Sequence, residues 1–305
     1  MKTVVSFLVC LLILVSSCET IIKLDFPEHS SKLVINGLLT PDSLVRVAVY
    51  KSLPVFDNQS VSYVSDATVV LFEDERLIDT LRFNQAFRQY MAGSFKPGIG
   101  KEYRLEVSAP GYDPVKASCS IADEVKIIQT QLKDSAGIDE YGAYYSQLSL
   151  TFNDPPGVKN YYNLFGLVPA VLIPWIPSNS GADRDTVYFY NPQYFFSNLP
   201  LVEYTYGNGI VLNDELFDGN TYTLSVNFYP QYNYRSNIPD ARKERMKLIF
   251  KNTDFIYYNY NRKLQPHIGN QNGGIFSGEP VIMPTNIENG YGIFSGYSAD
   301  TLTLY

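Results

Sequence analysis

The residue types that most often do chemistry are scarce in this chain. Its 305 residues include three Cys and two His. His29 lies in a polar leader and His267 stands beside Pro266. Neither neighbours a Gly-x-Ser-x-Gly turn of the kind that presents a nucleophile, and both read as solvated. There is no His-x-x-x-His and no paired Cys, so no metal site is expected, zinc least of all, and no cofactor is expected either. Glu73-Asp74-Glu75 and Asp183-Arg184-Asp185 are the densest acidic spots. Neither combines alternating carboxylates with a Gly turn as a calcium loop does, and both read as solvated turns. A glycosidase needs two carboxylates; with 31 acids in the chain and no motif, none can be paired. Gly207-Asn208-Gly209 reads as loop rather than a phosphate cradle. No catalytic residue is assigned, and the expectation is that the protein is not an enzyme.

One Cys has its chemistry specified by its neighbours. Lys2 gives a positive start, and Val4 to Val15 is apolar except for Ser6. That run is too short to cross a bilayer, which takes about 20 residues, but it has the length of a secretory signal core. Val15-Ser16-Ser17-Cys18 follows and resembles a bacterial lipobox. The small residues suit a signal peptidase groove. The Cys18 thiol accepts a diacylglyceryl group, and the amine freed by cleavage is acylated. Two or more acyl chains anchor stably where one does not. The alternative is an ordinary signal peptide with a Cys at its cleavage point. Residues 1–17 are therefore expected to be a lipoprotein signal peptide and 18–31 a polar tether containing Pro27. No polybasic segment is present, so attachment would rest on lipid rather than charge. Cys10 departs with the signal. Cys119 is left without a partner, so no disulfide is expected.

These residues need elements to position them, and the mature chain reads as strands. Val45, Val47 and Val49 alternate with Arg46, Ala48 and Tyr50. Tyr103, Leu105 and Val107 alternate with Arg104, Glu106 and Ser108. Val115, Ala117, Cys119 and Ile121 alternate with polar residues, which puts Cys119 on the apolar face as a small buried hydrophobe. Thr68 to Phe72 suits a central strand. Asn36-Gly37, Pro97-Gly98 and Pro110-Gly111 read as turns. The spacing predicts a β-sandwich over 32–123, immunoglobulin-like or transthyretin-like in size.

Residues 124–305 predict a second β-rich domain, with strands at Leu148 to Phe152, Tyr222 to Phe228 and Met246 to Phe250. Long loops with short strands are expected between about 169 and 220. A helix is expected near 253–265, capped by Thr253 or Asp254 and stopped by Gly269 to Gly274. A last strand is expected over 300–305. The fold class is mostly β, with two domains and one helix towards the C-terminus.

The second half is also aromatic. Only five of the 25 tyrosines precede residue 141, and the single Trp is Trp175. Trp175, Tyr188, Tyr190, Tyr194, Tyr204, Tyr206, Tyr232 and Tyr234 fall in or beside irregular stretches. Amphipathic rings at a surface suit protein interfaces and sugar stacking; alternatively they fill and edge a β-rich domain. The formal charge of −7 and pI near 4.9 argue against a nucleic-acid surface.

Several stretches together resemble a known family. They are Lys32-Leu33-Val34-Ile35-Asn36-Gly37, Thr40-Pro41-Asp42, Asp66 to Leu71, and Pro110-Gly111-Tyr112. Further on come Phe152-Asn153-Asp154-Pro155, Asn160-Tyr161-Tyr162, Leu216-Phe217-Asp218-Gly219, Glu279-Pro280 and Asn286 to Phe294. With the lipobox they resemble domain of unknown function 4249, a lipoprotein family of Bacteroidota. One departure is Glu75-Arg76, where the family often has a turn Gly. The resemblance implies an outer-membrane lipoprotein, commonly encoded beside a TonB-dependent transporter, acting as an accessory or ligand-handling partner with no established catalytic set. It implies a barrel transporter as partner and a small-molecule or glycan ligand. Glu19 and Asp25 suit the cell surface rather than the periplasmic face. A surface adhesion or assembly component and a divergent glycan hydrolase are the alternative functions. Gly290 and Gly292 read as turn glycines, and Asn286 and Asn289 as bonding local backbone.

Overall fold

The computed structural model describes residues 30–54, 62–172, 187–230, 246–271, 279 and 281–304. Cys18, His29, Asp183, Asp185, Trp175, Tyr232 and Tyr234 lie outside them, as does the Tyr188 side chain. From Ser31 onward the chain forms one compact unit. It is mostly β.

The first half contains β1 (Leu33–Leu39), β2 (Arg46–Lys51), β3 (Thr68–Glu73), β4 (Arg76–Asn84), β5 (Gln89–Met91), β6 (Glu102–Ser108) and β7 (Val115–Ser120). β4 passes between two layers: its first part pairs with β3 and its last residues, Arg82 to Asn84, with β5. The sheet thereby folds over one apolar core. Alternation does this work. Leu33, Ile35, Val47, Val69, Leu71, Tyr103, Leu105, Val115 and Cys119 all point inward, and the residues between them point out. Burial raises the Cys119 thiol well above its usual range, as expected of a packed hydrophobe.

The second half contains β8 (Ile127–Ile138), β9 (Tyr144–Asn153), β10 (Tyr161–Leu172), β11 (Val187–Gln193), β12 (Glu203–Tyr204), β13 (Ile210–Asn213), β14 (Thr221–Phe228), β15 (Met246–Thr253), α1 (Phe255–Gln271) and β16 (Tyr291–Leu304). A three-stranded sheet, β14-β9-β8, packs on the layer containing β10, β13 and β15. At the centre of this second core Tyr162 and Phe250 stack, and the Phe152 ring meets both at a tilt. α1 covers the opposite face of the β10–β15 layer, where the Tyr161 ring meets those of Phe255 and Tyr258.

The two halves share a strand. Residues Tyr291 to Gly296 of β16 run parallel to β1, and Tyr297 to Leu304 run antiparallel to β15. Ile287 and Phe294 therefore pack in the first core, although they come from the end of the chain.

Four local expectations are corrected. Asn36-Gly37 is not a turn but the middle of β1. The glycine makes room for Phe294, whose ring would lie 2.9 Å from an added Cβ. α1 runs past Pro266 and Gly269 to Gln271, because its last turns are held from outside: His267 Nδ1 bonds to the Val281 carbonyl and Asn270 Nδ2 donates to that of Glu279. His267 is thus engaged rather than solvated. The last strand begins at Tyr291, nine positions ahead of its expected start, because glycines at 292 and 296 leave room for close neighbours.

Candidate functional site

The aromatic residues of the second half assemble into a ladder of rings. Tyr145 comes from β9, Tyr194 and Phe196 follow β11, Tyr204 lies in β12, and Tyr229 follows β14. Reciprocal backbone bonds between Phe196 and Asn227 bring the segment after β11 beside the end of β14. Tyr204 and Tyr194 are stacked at 6.1 Å, Tyr194 and Phe196 at 6.5 Å, and Phe196 and Tyr229 at 5.0 Å. Tyr145 meets Phe196 edge-on at 5.5 Å. Polar tips fix the rings. The Tyr204 hydroxyl donates to the Ser197 carbonyl and accepts the Ser197 N–H, each at 3.0 Å. The Tyr229 hydroxyl donates to Asp139 at 2.7 Å. That bond, with the Ala143 and Tyr141 amides, holds the Asp139 carboxyl below its usual range.

Beneath the ladder, buried Gln193 donates from Nε2 to the carbonyls of Tyr194 and Tyr229, tying the two ring-bearing segments together. Its Oε1 is buried and has no partner among the described residues. The ladder is accessible: Tyr194 is 46% and Tyr229 38% exposed. Beside it, the β8–β9 turn presents Tyr141 at 87% and Tyr144 at 59%. Contiguous exposed apolar surface is a feature of interaction sites, and these rings are neighbours.

Of the aromatics expected from sequence, the structure thus brings Tyr194 and Tyr204 together. Tyr190 is exposed on β11, and Tyr206 is exposed in the β12–β13 turn formed by Gly207 and Asn208. Phe196, Tyr145, Tyr144, Tyr141 and Tyr229 were not singled out by sequence. Their segments are far apart along the chain; the pairing of β14 with β9 and of Phe196 with Asn227 makes them neighbours.

A second constellation also escapes the sequence. Carboxylate oxygens of Asp154, Asp214 and Asp218 lie within 4.8 Å of one another, with Asp154 and Asp214 buried. Among the described residues, they are a group that could hold a cation. Each already accepts hydrogen bonds. Tyr162 and the Gly219 N–H donate to Asp154, the Asn160 N–H to Asp214, and the Gly157 N–H to Asp218. Burial, offset in part by Tyr162 and Gly219 and reinforced by the two neighbouring acids, pushes the Asp154 carboxyl up. The arrangement joins the β9–β10 loop to the β13–β14 loop.

Of the acids expected to be solvated turns, those at 74 and 75 do form an exposed turn and also carry ion pairs. Asp74 and Glu75 form the β3–β4 turn and pair with Lys101 and Arg104 at 2.6 and 2.8 Å, while Glu73 accepts the Tyr103 hydroxyl.

The Asn286 to Phe294 run is structural. Asn286 Nδ2 donates to the carbonyls of Ser118 and Phe294, and its Oδ1 accepts the Phe294 N–H. Asn289 Nδ2 reaches the Pro114 carbonyl. The bonds to Ser118 and Pro114 are long-range, so these side chains do more than the local bonding expected of them: they lash the turn to β7. Gly292 has φ +100, and a Cβ there would fall 2.0 Å from the Ile35 carbonyl oxygen. Gly290, without positive φ, is needed for close approach to the Leu33 carbonyl.

A family model described as a domain of unknown function (DUF4249) matches residues 19–303, and the chain belongs to that family. No curated protein matches the chain.

Proposed function

We propose that this member of the domain of unknown function 4249 family is a lipid-anchored protein of the bacterial outer membrane, facing the cell surface. On this reading it is a non-enzymatic accessory partner of a TonB-dependent transporter. Cys18 carries the lipid, and the aromatic ladder meets the partner. The observation that carries this reading is the stacked run Tyr204–Tyr194–Phe196–Tyr229, exposed at Tyr194 and Tyr229. Rings fixed in place by neighbours lose little entropy on binding and supply large apolar area with a polar tip. The buried Asp154, each of whose carboxylate oxygens accepts a bond, from Tyr162 and from the Gly219 N–H, favours a structural role for the acidic trio over hydrolytic chemistry.

The test is a detergent pull-down from the native membrane. Wild-type protein should bring a barrel protein with it, and Tyr194→Ala combined with Tyr229→Ala should lose it while the thermal melt stays cooperative. Wild type arriving alone, or the double variant retaining the barrel, overturns the proposal. Cys18→Ala should leave the chain soluble; persistent membrane association overturns the anchor.

A further inference from the structure

The tether joins the fold at the N-terminal end of β1, and the geometry there is directional. β1 lies between two neighbours. Val34 to Leu39 run parallel to Tyr291 to Gly296 of β16, and Leu33 to Gly37 run antiparallel to Lys51 to Val47 of β2. β16 then continues in the same direction into the second half, paired with β15. The N-terminal end of β1 therefore points away from the second half, and the continuation of β16 points towards it. A pull between tether and second half acts along both strands in opposite senses. Strands loaded this way must slide, so their hydrogen bonds share the force and fail together. Strands peeled from one end lose their bonds one at a time.

Close approach strengthens the contact. Gly292 lets β16 approach Ile35 more closely than any side chain permits, and Phe294 packs over Gly37. On the other side of β1, just past the end of β2, the Lys32 N–H donates to Ser52 Oγ at 2.9 Å, the Ser52 N–H to the Lys32 carbonyl at 2.8 Å, and Ser31 Oγ to the Ser52 carbonyl at 2.8 Å.

We infer that the β1–β16 pair is a mechanical clamp, which keeps the fold intact under tension between an anchored N-terminus and a partner held by the second half. The source of tension rests on the anchoring and docking reading above; the clamp is a property of the chain alone.

The test pulls the full chain in magnetic tweezers, with one handle ahead of Ser31 and the other at the exposed β8–β9 turn through Glu140→Cys. The expected record shows no extension until a single event releases at least residues 33–123. Early release of residues 33–45 alone, roughly 45 Å of extended chain, with the rest still folded, overturns the clamp. Gly292→Ala, which pushes the strands apart, should shorten the lifetime at fixed load about tenfold or more, since forced unfolding is governed by the unfolding rate. Should that variant not fold, Gly37→Ala crowds the Phe294 ring of β16 from β1 and should shorten the lifetime about threefold; an unchanged lifetime there also overturns the clamp. These readings are independent of the membrane. Failure of the pull-down or of Cys18→Ala removes the source of tension but leaves the force record standing.

Discussion

Asp254 shows how one side chain can serve two elements at a cost. Its carboxylate caps α1 through the Tyr257 N–H at 2.8 Å, and it also receives the Ser295 hydroxyl and the Gly296 N–H from β16. Burial outweighs these bonds and raises its carboxyl above the unperturbed 3.8. The sign follows from linkage. The folded state holds this proton more tightly than the unfolded state, so lowering the pH through the raised value towards 3.8 adds stability, and raising it removes that gain. Asp254→Asn lacks this group, so the urea midpoint of wild type relative to the variant should rise between pH 7 and pH 4. A constant difference across that range would falsify the assignment. Tyr162 makes the complementary case. Fully buried, its hydroxyl serves Asp154, so Tyr162→Phe leaves a buried carboxylate short of a donor. The expected cost is about 1–3 kcal/mol, read from denaturant unfolding.

At the scale of elements, turns depart from the residues that suit them best and are compensated. Asp74 and Glu75 close the β3–β4 hairpin with φ of 46° and 63°. Two successive left-handed residues are the signature of a hairpin turn that favours Asn-Gly. Here the strain is held by ion pairs to Lys101 and Arg104, which draw both carboxyls below their usual range. Exposed pairs of this kind contribute little, so Glu75→Gly should raise the thermal midpoint. A lower midpoint would mean that Arg104 outweighs the backbone strain. α1 makes the same point, since Pro266 inside it removes a helical bond and contacts to Glu279 and Val281 hold the turns beyond.

At the scale of the whole molecule, β16 makes the two cores interdependent. The first core takes Ile287 and Phe294 from residues beyond the second core's strands. Residues 31–123 produced alone would leave β1 without its parallel neighbour and a hole where Phe294 sits. Truncating a buried Phe alone costs about 3–5 kcal/mol, a large part of a small domain's stability. That fragment should therefore show no cooperative thermal transition, and adding a peptide spanning Asn286 to Ser298 should restore one. A fragment that melts cooperatively without the peptide would show that the first half closes by itself.

Much of this fold was legible in the sequence, because period-two alternation states which face of a strand is buried. It placed β6, β7, β9, β14 and β15 and buried Cys119, a continuous apolar run placed β3, and Pro110-Gly111 read correctly as a turn. It also concentrated the tyrosines in the second half. Contacts between distant segments leave no such periodic trace. Gly37 resembles a turn glycine until Phe294 arrives over it, and Asp154 and Asp218 are ordinary loop acids until two turns meet. Tyr194 and Tyr204 stack directly, and Phe196 and Tyr229 from other segments extend them into one ladder. Alternation is a local consequence of the pleat, so the sequence by itself determined the strands and their faces. Register between β1 and β16 depends on which backbones can approach within a hydrogen bond, and that was decided only by the tertiary structure, where glycines and a buried ring meet across the length of the chain.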